Sequence, residues 1–333
     1  MRICIATGIY PPEIGGPAYY AQNLAQALQN KGQTVEVVTF GYLKKLPSGV
    51  RHIALFLKLL GPVRRADCII ALDTFSAALP AYAAARIFGK KIIVRTGGDF
   101  IWEHYVERTG DLVPLPQFYE KLPALSAKER VFLFLTRFLL ARTVVVFSSR
   151  FQKDVWTIPY RLKDGATRII ANAIVESFES IAPKKKNFLF FGRDLKLRNK
   201  KRLLEAFQNA KKEVPGIVLE VGQVPQHELI EKIRRSYCVI LPSVSDITPN
   251  YILDGLRCGK PFILTKYSEY AHTYAEFGVS IDPLDTADMT RKIVEMCDKT
   301  TYDALVTRIS LNPPSRTYQD LAADFIELAH TSV

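Results

Sequence analysis

LPSVSDITPNYILDGLRCGKPFILT, residues Leu241 to Thr265, holds a complete strand, loop, helix and strand. The apolar run Tyr237 to Leu241 predicts a buried strand, which Pro242, Ser243 and Ser245 end. A helix is expected from about Pro249-Asn250, with Tyr251, Ile252, Leu253, Leu256 and Cys258 on its apolar side. Gly259 stops it, Pro261 follows, and Phe262 to Thr265 predicts the next strand. In a parallel sheet such a loop lies at the carboxyl edge, where ligands bind. The loop carries Asp246 and the helix carries Asp254, eight positions on. Two helical turns take about 7.2 residues, so both acids can face one cleft. The free N–H groups at the helix start, near Thr248 to Tyr251, suit a phosphate.

The same pattern extends in both directions. Before this unit, strands are expected at Asn187 to Phe191 and Ile217 to Val221, and after it at Val279 to Ile281. Helices at Lys200 to Lys212, His227 to Ser236 and Ala287 to Cys297 separate the strands. An earlier series places strands at Arg2 to Thr7, Thr34 to Phe40, Cys68 to Leu72, Lys91 to Thr96 and Thr143 to Ser148. Unbroken Val/Ile-rich runs of this kind are those of parallel strands buried on both faces. The break at Pro183-Lys-Lys-Lys186 separates the two series. The expected architecture is α/β, with two doubly wound, Rossmann-like domains facing a cleft. We place the N-terminal domain at 1–180 and the C-terminal domain at 181–314. A last helix within 315–333 follows Pro313-Pro314 and is expected to return toward the N-terminal domain.

Length and composition agree with this division. A chain of 333 residues can bury two cores. Apolar content of 48% and charged content of 23% are those of an ordinary globular protein. The five cysteines are scattered and form no C-x-x-C pair, so reduced thiols in a cytoplasmic protein are expected. The N-terminus reads as a first strand rather than a signal peptide, and no run reaches the roughly 20 apolar residues of a membrane span.

The net charge is +12, with most of the excess in the first 180 residues. An anionic partner is expected on that side. The segment Lys128 to Arg142 interleaves Lys and Arg with Leu, Phe and Val. It reads either as an interfacial helix on an anionic lipid surface or as a buried helix whose Arg stems reach water. No nucleic-acid-binding module is visible.

The first loop, Tyr10-Pro-Pro-Glu-Ile-Gly-Gly-Pro17, lacks the G-x-G-x-x-G of a dinucleotide site, which argues against a dinucleotide-dependent oxidoreductase. Gly15 and Gly16 precede a helix and either form an ordinary turn or let a phosphate or sugar approach the backbone.

Seven segments, in order, resemble the retaining glycosyltransferases of family four, which have the GT-B fold. They are YPPEIGGPAYYAQNLAQAL, FSSRFQKDV, IIANAIVESF, FFGRDLKLRNKKRLLEAF, the stretch from Asp246 to Ile263, GVSIDPLD and SRTYQDLAADFIEL. The resemblance covers nearly the whole chain. It implies transfer of a sugar from a nucleoside-diphosphate donor, carrying UDP or GDP, to a glycan or lipid-linked acceptor in polysaccharide or glycolipid synthesis. No cofactor and no metal are implied.

Negative charge builds on the departing diphosphate, and cations placed there stabilise it. Arg193 falls at the family's arginine position. Arg198 falls where the family usually has lysine, and the guanidinium fork suits a phosphate. Asp246 and Asp254 fall at the two acidic positions of the E-x7-E motif, each one methylene shorter. Asp246 is implied to hold the donor sugar and stabilise charge at its anomeric carbon, and Asp254 to hold the ribose. Backbone near Val224 matches the nucleobase contact. Many members carry a histidine after the strand that corresponds to Lys91 to Thr96; here that strand end has none. Asp99 is the nearest titratable group and His104 the nearest histidine, so Asp99 is the candidate acceptor- or sugar-binding acid. The double Asp and the missing histidine leave an alternative open: a degenerate protein that binds nucleotide sugar without turnover. The enzyme is expected in the cytoplasm, peripheral on the inner face of the membrane.

Overall fold

The structure is a computed structural model that describes residues 1–13, 15–174 and 177–331. The expected parts played by Ile14 in the first loop, by 175 and 176 in IIANAIVESF and by 332 and 333 at the C-terminus lie outside the described residues. In chain order the elements begin with β1 (Arg2–Thr7), α1 (Gly16–Asn30), β2 (Thr34–Thr39), α2 (Val50–Arg65), β3 (Cys68–Ala71), α3 (Ala78–Ile87) and β4 (Lys91–Arg95). There follow α4 (Phe100–Thr109), α5 (Leu115–Lys121), α6 (Ala127–Leu140), β5 (Val144–Phe147), α7 (Arg150–Thr157) and β6 (Thr167–Ile169). The second series is β7 (Asn187–Phe191), α8 (Lys200–Glu213), β8 (Val218–Gly222), α9 (Gln226–Arg235), β9 (Cys238–Leu241), α10 (Asn250–Arg257) and β10 (Phe262–Thr265). It ends with α11 (Tyr270–Thr273), β11 (Gly278–Ile281), α12 (Thr286–Met296), α13 (Lys299–Leu311) and α14 (Tyr318–His330).

Both sheets are parallel and doubly wound. The first has the order β2-β1-β3-β4-β5-β6 and the second β11-β10-β9-β7-β8. Ile5 lies opposite Val37 on one side and Ile70 on the other, so the all-apolar register expected of buried strands is met. The order reverses between β1 and β3 in the first sheet and between β7 and β9 in the second. These are the switch points at which loops diverge and leave a crevice at the carboxyl edge.

Local signals fix the helix ends. Ser126 and Glu129 form a reciprocal capping box on α6, with Glu129 Oε2 accepting from the Ser126 N–H at 2.7 Å. Thr317 and Asp320 do the same for α14. Gly259, at φ +68°, stops α10, and a Cβ there would lie 2.8 Å from the Ser180 Cβ. Lys260 follows with 1% exposure and donates from Nζ to the Ile181 carbonyl at 2.6 Å. Burial pushes its ammonium down to about 8. All five cysteines are buried and free.

The chain folds into two compact units. The first comprises Met1–Ile101, Ala124–Ala173 and Arg316–Val333, and the second Trp102–Pro123 and Ile174–Ser315. In the first, α14 packs on α1, with Leu321, Ala322, Phe325 and Leu328 joining Leu24 and Leu28 in one core cluster. Lys91 Nζ donates to the carbonyls of Leu328 at 2.6 Å and Ala329 at 3.3 Å, capping the open end of α14 with a cation. Arg316 Nε donates to the Ala171 carbonyl at 3.0 Å.

Trp102–Pro123 lies inside the range we assigned to the N-terminal domain, yet it packs with the second unit. Hydrogen bonds hold it there. The Glu107 carboxylate accepts from the N–H groups of Lys196 at 3.2 Å and Leu197 at 3.0 Å. The Leu115 N–H donates to Ser245 Oγ at 2.9 Å, and Gln117 Nε2 to the Tyr267 hydroxyl at 3.1 Å. Short sequence signals could not show these bonds, because every partner lies far away along the chain.

Phe325 is fully buried at the centre of the α14 contact. Phe325→Ala should destabilise the first unit by about 3–5 kcal/mol through lost burial and the cavity left behind. Urea unfolding in a Trp102→Phe background, where Trp156 is the sole tryptophan, measures this; a loss below about 1 kcal/mol would show that α14 does not complete this core.

Candidate active site

The second unit gathers most of the sequence-assigned residues at the carboxyl edge of its sheet. Arg193 follows β7 and Gly192, whose φ of +147° turns the chain sharply out of the strand. The Arg193 side chain is exposed and makes no hydrogen bond or ion pair among the described residues. Arg198 closes the short 3-10 turn Lys196–Arg198. Asn199, at φ +58°, then opens α8 and donates from Nδ2 to the carbonyls of Pro242 at 3.2 Å and Pro283 at 2.6 Å. These bonds tie the loop after β7 to the loops after β9 and β11.

The two loops meet chemically at Arg198 and Asp246. Arg198 Nη1 lies 2.9 Å from Asp246 Oδ2 and 3.2 Å from Ser243 Oγ. The Arg198 side chain is 25% exposed and that of Asp246 16%. Arg198 Nε is buried with no protein partner, leaving a donor unspent. Burial raises the Asp246 carboxyl above its usual range, while Arg198 and the Thr248 N–H pull the other way. Asp246 is therefore a desolvated acid held beside a cation.

Pro249 is the first residue before α10, and its carbonyl accepts from the Ile252 N–H at 2.9 Å. Thr248, Pro249 and Asn250 thus form the helix start, as expected. Asp254 sits one turn into α10, where Oδ1 lies 3.2 Å from Arg257 Nε and Oδ2 accepts from Gln226 Nε2 at 2.9 Å. Burial raises its carboxyl as well, against the pull of Arg257 and Gln226. Val224 lies between β8 and α9 and packs against the core of the second unit.

The first unit holds the remaining candidates. Gly15, at φ +156°, caps α1, and Gly16 is its first residue; Gly15 is in a backbone region that residues with a Cβ avoid. Asp99 is fully buried just before α4. His104 is half-buried and belongs to the second unit, so these two alternatives for the absent histidine lie in different units.

Three partners were missed in the sequence. Ser243 was read only as a strand stop. Gln226 carried no signal, since its bond to Asp254 spans 28 positions of chain. Arg257 was legible in principle, lying three positions after Asp254 on one helical face. No group of three or more His, Cys, Asp or Glu side chains with metal-site geometry occurs among the described residues.

No protein-family profile matches the sequence, and no curated protein matches it. Solved structures do. WaaG, described as a glycosyltransferase involved in lipopolysaccharide biosynthesis, is 12% identical, with a TM-score of 0.71 over 99% of this chain and 100% of its own. Sucrose-phosphate synthase from Thermosynechococcus elongatus is 12% identical, with a TM-score of 0.70 over 98% of each chain. WaaB, a lipopolysaccharide outer core galactosyltransferase in its apo form, is 14% identical, with a TM-score of 0.66 over 98% of each chain. At such identities the likeness establishes the fold. The chain has the two-domain, Rossmann-like architecture of the GT-B proteins.

Arg198→Met strands a partly buried carboxylate and should destabilise the second unit by about 1–3 kcal/mol. Adding Asp246→Asn should recover part of that loss. The sign with pH follows from the raised Asp246 carboxyl. The folded chain keeps this proton to higher pH than the unfolded chain, so the contribution favours folding in acid and fades as pH rises through the folded value. The Arg198→Met deficit should accordingly be smaller at pH 5 than at pH 8. Urea unfolding at both values decides it, and a pH-independent deficit would show that Asp246 is not the stranded group.

Proposed function

We propose that this protein is a retaining glycosyltransferase that moves a hexose from a UDP- or GDP-sugar to a glycan or lipid-linked acceptor. The single observation that carries the reading is the arrangement at the β7–β9 switch point. There an exposed, unpaired Arg193 and a half-spent Arg198 stand at the same sheet edge as the open N-terminus of α10. That edge brings two guanidinium groups and the positive end of a helix together beside Asp246. It suits a diphosphate that gains charge as it leaves.

In the proposed reaction the bond between the anomeric carbon and the diphosphate oxygen breaks. The acceptor hydroxyl oxygen bonds to that carbon on the same face, and its proton leaves on the nucleoside diphosphate. Arg193 and Arg198 hold the diphosphate. Asp246, oriented by Arg198, faces the sugar and the developing positive charge. Asp254, oriented by Arg257 and Gln226, holds the ribose, and the backbone near Val224 meets the base. The cations take over the charge-neutralising role of a divalent metal. The GT-B likeness to WaaG, WaaB and sucrose-phosphate synthase supports this reading. So does a structure of TarM that contains UDP, similar at a TM-score of 0.59 over 84% of this chain.

We also propose a peripheral seat on an anionic membrane. No helix among the described residues is long and apolar enough to cross one. Both α2 and α6 instead expose apolar side chains between their basic ones, with Ile53 at 62% and Phe134 at 67% exposure. Such a pattern suits the headgroup boundary.

Two measurements test the enzyme. Arg193→Ala should weaken binding of the free nucleoside diphosphate by roughly 1.5–3 kcal/mol in calorimetric titration, the scale of a charge-assisted hydrogen bond. An unchanged dissociation constant would remove Arg193 from the site. Asp246→Asn should lower turnover and leave affinity for the bare diphosphate nearly unchanged, because that ligand has no sugar, whereas Asp254→Asn should weaken both. Transfer should persist in excess chelator. Binding of nucleotide sugar with neither transfer nor hydrolysis would make the chain a binding protein instead.

A further inference from the structure

A second concave site lies wholly within the first unit. It is a cavity of ≈ 680 Å³, and every residue lining it belongs to that unit. Its volume is that of a pocket for a small molecule. It opens at the carboxyl edge of the first sheet, where Gly8 follows β1, Phe40 follows β2, Asp73 follows β3 and Gly97 follows β4. The β1–β3 switch point lies within this stretch.

The lining divides into two chemistries. One wall is aromatic. The Phe132 ring lies 4.3 Å from Phe75 and 4.7 Å from Phe100, centre to centre. The other is cationic: Lys44, Arg51, Arg95 and Lys128 all line the cavity, against one carboxylate among the lining residues, Asp73. Lys44 is already paired with Glu13. Asp73 is committed to the start of α3, accepting from the Phe75 N–H at 3.0 Å, the Ala77 N–H at 2.9 Å and Ser76 Oγ at 2.7 Å. Arg95 is partly committed, donating from Nη2 to Asn172 Oδ1 at 2.7 Å.

Among the lining residues, the donors Arg51 Nε, Arg95 Nε, His52 Nε2 and Trp156 Nε1 are buried without a protein partner. The His52 ring accepts at Nδ1 from the Gly49 N–H at 3.3 Å, so the proton of the neutral imidazole sits on Nε2. Burial and Arg51 both hold this histidine below its usual value, which favours the neutral form. Buried, unsatisfied donors need an explanation. Here they line the same cavity as Arg51, Arg95 and Lys128, whose charges face no carboxylate among the lining residues but Asp73, and this combination suits an anion.

We propose that this cavity is the acceptor subsite and that the acceptor carries a phosphate. Its phosphate meets Arg51, Lys128 and the His52 Nε2–H, and its sugar or apolar part lies on the Phe75–Phe100–Phe132 wall. The word acceptor rests on the transferase reading above; the anion site itself does not. The phosphate can belong to a free sugar phosphate or to a lipid headgroup, and both present the same chemistry to these residues.

The test uses the full chain. Glucose 6-phosphate and glucose are titrated by calorimetry, and vesicles of phosphatidylcholine with and without phosphatidic acid by sedimentation. At least one phosphate probe should bind, and its uncharged counterpart should bind at least about ten-fold more weakly. Arg51→Gln and Lys128→Gln should each weaken the phosphate probe by about ten-fold. Lys45→Gln, exposed nearby but absent from the lining, should not. Binding of glucose 6-phosphate alone assigns a soluble acceptor, and binding of phosphatidic acid alone a lipid-linked one. The proposal is overturned if neither probe binds at millimolar concentration, if binding survives both cavity substitutions, or if glucose binds as well as its phosphate. Titration with UDP and GDP separates the two readings. Nucleotide binding without phosphate-probe binding removes only this acceptor, and phosphate-probe binding without nucleotide binding removes the transferase reading while the anion site stands.

Discussion

Two parallel sheets with both faces covered leave polar chemistry few places to go. A buried parallel strand satisfies its backbone through its neighbours and presents apolar side chains to helices above and below. The inner strands β3, β5, β9 and β10 do so along their whole length, whereas the edge strands β2, β6 and β8 are partly exposed. Charged side chains are pushed to the strand ends. At the carboxyl edge the loops also meet helix N-termini, so cations, acids and free N–H groups accumulate together. Both candidate sites of this protein lie at such an edge, one in each unit, and both lie at the point where the strand order reverses.

The acids of the second unit show what that position costs and provides. Asp246 and Asp254 are desolvated enough to be raised, and each is kept in place by a guanidinium. A buried acid beside a cation is poorly stabilised compared with an apolar pair of the same volume. Arg198 bonds Ser243 and Asp246 in the loop after β9, while Asn199 next to it bonds the carbonyls of Pro242 in that loop and of Pro283 after β11. The exposed Arg193 has no such duties. The committed and the uncommitted cation of this edge are thus distinguishable by their partners.

The assignment of chain to unit is less simple than the order of elements. The first unit is completed by α14 from the far end of the chain, and the second by the excursion Trp102–Pro123 from the middle of the first series. Each exchange has a physical cause. The apolar stripe of α14, Leu321, Ala322, Phe325 and Leu328, needs a partner face, which α1 supplies. The excursion carries Glu107, whose carboxylate accepts the N–H groups of the Lys196–Arg198 turn. A helix that begins in one unit and ends in the other, as α4 does, carries no mark of this in its own residues.

What the sequence determined by itself was local and periodic. Apolar runs and glycine stops placed every strand but β6, and among the helices α8, α9, α10, α12 and α14, because those signals act within a few residues. The run from Tyr237 to Thr265 alone announced a strand, an acid-bearing loop and a helix, and the structure has each of them at β9, α10 and β10. The short β6 and the helix α13 were not foreseen, the first because three residues carry little pattern and the second because its apolar face is weak. The sequence likewise offered Arg193, Arg198, Asp246 and Asp254 as a set. Tertiary structure decided which of them pair, since Arg198 and Asp246 are brought together by sheet order across 48 positions of chain. It also decided that Arg51, His52, Arg95 and Lys128, from three separate segments, share one cavity. Long-range juxtaposition depends on how strands are ordered in a sheet, and no local residue pattern encodes that order.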